Sequence, residues 1–210
     1  MVRSLRSVSI LALVLMSVAC TTPQVSVTPA SPAKVADTKA VLRDLWLGHI
    51  LGIRNVAVAT MDQNAAARES AEKSVVANAE QIAKSIEPFY GKPASEKLFS
   101  LLAGHYGAIR DDLDATVAGN AAQQEAAIKT LTANAGEIAA FLSGANPYLP
   151  KDAVMGLLTA HAAHHIQQFQ QLKAGEYAQE AETWNGMKKH IYVVADALTG
   201  ALAQQFPAKF

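Results

Sequence analysis

The sequence predicts an all-α protein, in which six antiparallel helices form three copies of one helical hairpin. Three observations predict this fold. From Asp37 onward the chain is rich in Ala, Leu, Gln, Glu and Lys, which are strong helix formers. Apolar residues recur there at helical spacing, and Gly, Pro and Asn gather at a few boundaries. The chain also resembles itself at a fixed offset of 56 residues, which is typical of repeat architectures.

The boundaries between the periodic segments predict where each helix lies. They place helices at 38–62, 65–87, 94–118, 120–143, 151–173 and 177–204. The connections between them are short, so consecutive helices should run antiparallel. We therefore expect residues 37–210 to form a single helical-bundle domain, which is an ordinary size for one domain.

The internal repeat is clearest around three histidines. Leu45-Trp46-Leu47-Gly48-His49 aligns with Leu101-Leu102-Ala103-Gly104-His105 and with Leu157-Leu158-Thr159-Ala160-His161. Each copy is a helix, a turn and a second helix, and such a unit cannot bury its apolar stripe alone. The three units can close into a bundle with approximate threefold symmetry or stack as an open array. We favour the closed bundle, because neither terminal unit carries a polar capping helix.

Residues 1–19 predict a signal peptide. Arg3 and Arg6 precede the apolar run 10–16, which is too short to span a bilayer. Ser17-Val18-Ala19-Cys20 then resembles the lipobox of bacterial lipoprotein precursors, although that family prefers Leu where this chain has Ser17. The resemblance implies that Cys20 is lipidated and that the bond before it is cut. Thr21 in place of Asp resembles lipoproteins sent to the outer membrane, which implies a lipid-anchored protein on its periplasmic face.

Residues 20–36 predict the lipidated cysteine followed by an extended tether. Pro23, Pro29 and Pro32 favour an extended, solvated chain in this segment. Several acyl chains on Cys20 would make the membrane a partner of the protein. Nucleic acid is not expected as a partner, because 18 basic residues balance 18 acidic ones and leave no strong positive field. No feature of the sequence indicates a protein partner.

Each predicted hairpin places two polar residues on its inward-facing stripe. In an antiparallel hairpin, residues equidistant from the turn lie opposite each other, so all of these residues should share one layer. In one interpretation, His and Asn hydrogen-bond across each hairpin and fix the helix register, since buried polar groups need partners. The predicted polar layer comprises His49, His105 and His161 on the first helices and Asn78, Asn134 and His190 on the second helices.

The third hairpin departs from the other two in a way that suggests a metal site. His190 replaces the Asn, and His165 occupies the position of Ile53 and Ile109. His161 and His165 lie one helical turn apart on one face, with His190 opposite them. Neutral imidazoles in this arrangement suit one transition-metal ion such as zinc, copper or iron. A neutral histidine cluster bridged by water is the alternative.

In the metal interpretation, His49 and His105 are further candidate ligands. Asp112, two helical turns after His105, could approach the same interior, and Asp196 is a candidate to support the ligands. The chain lacks the Glu-x-x-His pairs of di-iron bundles and a Gly-rich phosphate loop. No acid, base or nucleophile constellation emerges beyond the histidines, so the sequence favours a non-catalytic protein. Either the protein binds a metal in the cell envelope, or it is a structural or protein-interaction lipoprotein without a ligand, in which the polar layer only fixes register.

Three segments together resemble an uncharacterised family of small all-helical bacterial proteins. They are Gln205-Phe206-Pro207-Ala208-Lys209-Phe210, Leu45-Trp46-x-x-His49 and Asn134-Ala135-x-x-Ile138-Ala139. The resemblance covers roughly residues 38–210. It implies a helical fold and no particular activity.

Overall fold

A computed structural model describes residues 29–210, which form six long α-helices and no strand. The predicted all-α class is therefore confirmed. The predicted signal peptide, Cys20 and the tether up to residue 28 lie outside the described residues. The helices are α1 (Pro32–Met61), α2 (Ala65–Ser85), the single turn α3 (Glu87–Tyr90), α4 (Lys92–Ala118), α5 (Ala121–Ala145), α6 (Lys151–Ala174) and α7 (Tyr177–Gln205), followed by a 3-10 turn at Pro207–Lys209.

Helix α1 begins at Pro32, earlier than the predicted start at residue 38. A proline is well suited to the first turn of a helix, because its fixed φ is helical and its missing N–H would have no partner there. The end of the predicted tether, 32–36, consequently belongs to the helix.

Three tight turns join α1 to α2, α4 to α5 and α6 to α7. Gly119 and Gly175 end α4 and α6 with φ of 68° and 72°, the left-handed conformation that glycine adopts without strain. Gln63 occupies the corresponding turn of the first hairpin with φ of 55°. Asn64 and Asn120 then cap α2 and α5 by accepting a backbone N–H through their side chains. The three turns thus lie at one end of the molecule, which we call the turn end.

The packing follows the chain order. Within the hairpins, α1 packs on α2, α4 on α5 and α6 on α7; between them, α2 packs on α4 and α5 on α6. Helix α7 packs on α1, and α1, α4 and α6 also contact one another. Ion pairs join neighbouring hairpins: Arg54 of α1 binds Glu180 of α7 through two hydrogen bonds of 2.7 and 2.9 Å, and Arg68 of α2 binds Asp114 of α4.

Aromatic residues lie at the opposite end of the molecule, which we call the far end. Phe89 of α3 packs against Phe206 and Phe210, with ring centroids 5.6 and 5.5 Å apart. The carbonyl of Phe210 accepts a hydrogen bond from the N–H of Ser31, just before α1. The start and the end of the described chain therefore meet at the far end. None of the helices in residues 29–210 has both the length and the apolar character that a membrane crossing requires.

Candidate metal centre

Three buried histidines meet in the interior, one from each hairpin. His49, His105 and His161 lie midway along α1, α4 and α6, and each is at most 4% exposed. Their ring centroids are 5.5 to 6.4 Å apart. One ring nitrogen from each histidine lies within 4.8 Å of the other two. Three histidines this close together could hold a metal ion.

The local sequence explains why these side chains point inward. Each histidine follows buried or half-buried apolar residues three and four positions earlier, so it belongs to the same helical stripe. In α1 these residues are Leu45 and Trp46, and the Trp46 ring meets His49 edge-on at 5.8 Å. The three inner helices therefore deliver their imidazoles to one level.

His165 extends this group toward the turn end. It lies one helical turn after His161, with ring centroids 4.6 Å apart, and its ring is 6.2 Å from His49. The side chain is fully buried, and neither ring nitrogen has a hydrogen-bond partner among the described residues. Of the five predicted metal ligands, the structure thus brings four together.

The second helices use their polar residues differently. Each of these side chains lies against the first helix of its own hairpin and bonds to a backbone carbonyl of that helix. The predicted polar layer therefore divides into a central group of imidazoles and three peripheral contacts. The contacts are Asn78 Nδ2 to Leu45 O at 3.0 Å, Asn134 Nδ2 to Leu101 O at 3.0 Å and His190 Nε2 to Leu157 O at 2.9 Å.

His190, which the sequence predicted as a ligand opposite His161, is not brought to the central group. It is half-buried, and its ring packs 5.6 Å from that of His164. In the other two hairpins, Gly48 and Gly104 lie across from the Asn, and a Cβ there would be 3.0 or 3.1 Å from the amide nitrogen and would have to push it by a few tenths of an ångström. The third hairpin has Ala160 there, and the longer imidazole of His190 makes the equivalent hydrogen bond.

The predicted His–Asn bond across the hairpin forms in the second hairpin. His105 Nδ1 lies 3.3 Å from Asn134 Oδ1. Since the amide oxygen can only accept, Nδ1 carries the proton and Nε2 keeps its lone pair. The first hairpin lacks this bond. His49 Nδ1 and Asn78 Oδ1 are both buried there, and neither has a hydrogen-bond partner in the described chain.

The four central imidazoles are neutral at neutral pH. Burial, together with the smaller effect of the nearby His105, lowers the pKa of His49 to about 3. Burial also lowers the pKa of His105 to about 4, against the opposing effect of its bond to Asn134. The pKa values of His161 and His165 lie well below the ordinary value because of burial and the neighbouring imidazoles. The neutral form is the one that coordinates metals.

Several ring nitrogens in this group have no partner within residues 29–210. They are His49 Nδ1 and both nitrogens of His161 and His165. Each unsatisfied buried polar atom costs about 1–3 kcal/mol. A cluster of this kind is stabilised only if a further species, a metal ion or water, provides the missing contacts.

A narrow cavity of about 60 Å³ leads away from the three histidines toward the far end. All three hairpins contribute to its wall, which is almost entirely apolar and includes Trp46, Leu102 and Leu158. It extends along α6 from His161 to Val154, roughly 10 Å by helix rise. Neither the cavity nor the part of Trp46 in it was predicted, although Trp46 shares the buried stripe with His49.

Two acidic residues complete the comparison with the sequence. Asp112 is fully buried and lies two turns from His105 toward the turn end; burial raises its pKa to about 6. It does not join the histidine group within 4.8 Å. Asp196 was expected to support the ligands, but it binds Arg43 at 2.7 and 2.6 Å and Lys39 at 3.2 Å between α1 and α7.

Comparison of the chain with protein-family models, with curated proteins and with solved structures gives no match.

Proposed function

We propose that the protein is a metal-binding protein of the bacterial cell envelope, which holds one transition-metal ion between His49, His105 and His161. The observation that carries this proposal is the convergence of three buried, neutral imidazoles with ring nitrogens within 4.8 Å of one another. Nitrogen donors of this kind suit iron, copper or zinc.

The spacing is close to what coordination requires. Metal–nitrogen bonds of about 2.0–2.1 Å in a tetrahedral site place the nitrogens about 3.3 Å apart. Side-chain rotations of the three rings, which come from three separate helices, would have to close this gap. His165 is a candidate fourth ligand on the turn side, because both of its ring nitrogens are buried and free of partners in the described chain. Three ligands alone would leave an open position on the ion, as in catalytic metal sites.

The surroundings of His105 also support coordination. A metal-binding histidine commonly donates its second ring N–H to an oxygen, which fixes the ring and raises its basicity. Asn134 supplies this oxygen to His105 Nδ1 at 3.3 Å. Nε2 of His105 is then the nitrogen that would bind the ion.

Metal content tests the proposal directly. The protein without its signal peptide is purified, incubated separately with ferrous iron, cuprous copper and zinc, freed of loosely bound metal and analysed by mass spectrometry. We expect about one ion per chain for the preferred metal. The variant with His49→Ala, His105→Ala and His161→Ala should retain less than a tenth of that amount.

A matched control separates metal binding from general damage. His164 is half-buried and lies outside the central group, so His164→Ala should keep the metal content of the unchanged protein. Circular dichroism verifies that the triple variant remains helical. Equal metal content in the triple variant and in the control, or no metal above background in the unchanged protein, would overturn the proposal.

We also propose that three equivalent hairpins close into one bundle around this site. Two observations support it. The bonds from Asn78, Asn134 and His190 to the first helices recur at the same offset as the internal repeat of the sequence, and α7 packs against α1. The three histidines that meet are also those that align at this offset.

The envelope location rests on the sequence of residues 1–20. Arg3, Arg6, the apolar run and the lipobox-like Ser17-Val18-Ala19-Cys20 support export and lipidation. In cells grown with radioactive palmitate, the full chain should become labelled and stay with the membrane fraction. Cys20→Ser should abolish both the label and the membrane association; equal labelling of the two proteins would contradict lipidation.

A structural or protein-interaction lipoprotein without a ligand is the second candidate. It is favoured by the three hydrogen bonds from the second helices to backbone carbonyls, which fix the register of each hairpin without any ligand. This candidate predicts that no metal changes the thermal unfolding temperature. A metal held by the folded state alone should raise that temperature.

A further inference from the structure

The cavity and the three histidines form one continuous site. His49, His105 and His161 line the cavity at its inner end, so an ion held by them would face the cavity with its open coordination position. The cavity therefore determines what can reach that position.

The size of the cavity limits its occupant to a few heavy atoms. Its volume of about 60 Å³ is larger than the roughly 10–15 Å³ that one water needs. It is much smaller than the roughly 150 Å³ of an engineered apolar cavity that admits benzene. A macrocyclic cofactor is too large for this space.

The chemistry of the wall excludes polar and charged occupants. Apart from the histidines, only Ser85 and Tyr90 near the far end and the indole of Trp46 bring polar atoms to the lining. No carboxylate, arginine or lysine is among the lining residues. A polar substrate would find few hydrogen-bond partners on this wall, which favours a small apolar ligand.

One unpaired donor lies close to the histidines. Trp46 lines the cavity beside His49, and its indole N–H is buried without an acceptor in the part of the chain that is described. An uncharged diatomic molecule needs no other polar partner. Once it is bound to a metal, it presents an oxygen atom that can accept a hydrogen bond.

We propose that the cavity admits a small apolar gas of the dioxygen and nitric oxide class, which binds to the open position of a ferrous ion held by His49, His105 and His161. This inference rests on the proposed metal site. Binding forms one metal–ligand bond, displaces at most a metal-bound water and requires no further reactant.

Xenon tests the cavity without any metal. In the metal-free protein, the chemical shift of dissolved xenon-129 should show saturable binding. Val194 lines the cavity, and Val194→Phe should weaken xenon binding at least tenfold by filling it. The neighbouring Val193 is 54% exposed, so Val193→Phe adds the same side chain at the surface and should leave xenon binding unchanged. A second filling variant, Leu98→Phe, covers the case in which Val194→Phe does not fold.

Nitric oxide tests the metal side. After loading with ferrous iron without oxygen, the unchanged protein and Val193→Phe should give the electron paramagnetic resonance signal of an iron–nitrosyl complex. The filling variants should retain their iron content but show at least tenfold slower nitrosyl formation. Equal rates of nitrosyl formation in the filling variants and in the Val193→Phe control would overturn the proposal. An iron-loaded protein that gives no nitrosyl signal would also overturn it. So would a fatty acid found bound to the purified protein.

The two tests fail differently. If iron does not bind at all, the proposed metal function is wrong and this inference falls with it, whatever the xenon result. If iron binds but neither xenon nor nitric oxide enters, the metal site stands and the gas ligand is wrong.

Discussion

The first two hairpins and the third place different side chains at three equivalent positions. Gly48 and Gly104 correspond to Ala160, Asn78 and Asn134 to His190, and Ile53 and Ile109 to His165. The first two differences compensate each other. Ala160 is larger than glycine, and the imidazole of His190, which is longer than an Asn side chain, still bonds to the equivalent backbone carbonyl, that of Leu157. The third difference has no such partner and adds a buried imidazole beside the site. When one repeat differs from the others at two positions that contact each other, the two differences are therefore best interpreted together.

The largest expected effect is the acid sensitivity of the metal-free protein, to which the third hairpin contributes two of the four buried imidazoles and each of the other hairpins one. In the unfolded chain each histidine takes up a proton when the pH falls below its usual pKa of about 6.5. In the folded state His49 and His105 resist protonation down to about pH 3 and 4. Stability is therefore complete above a pH of about 6.5 and falls as the pH drops, by about 2 kcal/mol per histidine at pH 5.

His49 and His105 together give a loss of about 4 kcal/mol at pH 5, and His161 and His165 increase it, because burial lowers their pKa values as well. Urea unfolding at pH 7 and pH 5 measures this difference. His165→Ile gives the third hairpin the residue of the other two and should reduce the loss. A metal-free protein that is equally stable at both pH values would show that the central imidazoles are not buried as neutral groups.

The second effect concerns the glycines of the first two hairpins. Gly48→Ala places a Cβ 3.0 Å from Asn78 Nδ2, so the amide must shift and its bond to Leu45 should weaken, at a net cost of about 1–2 kcal/mol. Combining it with Asn78→His reproduces the pair found in the third hairpin. The double variant should therefore be at least about 1 kcal/mol more stable than the sum of the single changes predicts. Strictly additive unfolding energies would indicate that Ala160 and His190 are unrelated differences.

Helical periodicity was enough to predict the six long helices and their turns, with most ends close to the observed ones. The exception is α1: the proline-rich pattern predicts that Pro32 belongs to the tether, whereas it lies in the first helical turn, which suits a proline. The inward orientation of His49, His105 and His161 also follows from their stripes. These features depend on local sequence, which a periodic pattern describes well.

The position of His190 could not be predicted in the same way. An apolar stripe shows that a side chain faces the interior. It does not show whether that side chain reaches the central group of imidazoles or stops at the backbone of the adjacent helix. The decisive signal was Ala160, which lies on the other helix and matters only through the distance between helices. The cavity depends on how side chains from all three hairpins pack, and no segment of the sequence carries that information.

A smaller effect should distinguish the second hairpin from the first. Asn134 bonds to His105, whereas Asn78 makes no bond to His49. Asn134→Ala should therefore weaken metal binding about tenfold by freeing the His105 ring, in line with the usual effect of such supporting residues. Asn78→Ala removes the same amide and serves as the control, with a change of less than about threefold. Titration with a competing chelator measures both, and equal losses would mean that the bond to His105 has no special role.

The smallest expected effect comes from returning the third hairpin to the pattern of the others. Ala160→Gly with His190→Asn exchanges one hydrogen bond to Leu157 for another, so the free energy of unfolding should change by no more than about 1 kcal/mol. Metal affinity should stay within about threefold, because His190 directs its Nε2 at a carbonyl and its ring at His164. Metal loss in this variant, with helicity retained, would make His190 a ligand after all. The three hairpins would then differ in how they bind the metal, since one of them would supply a ligand from its second helix.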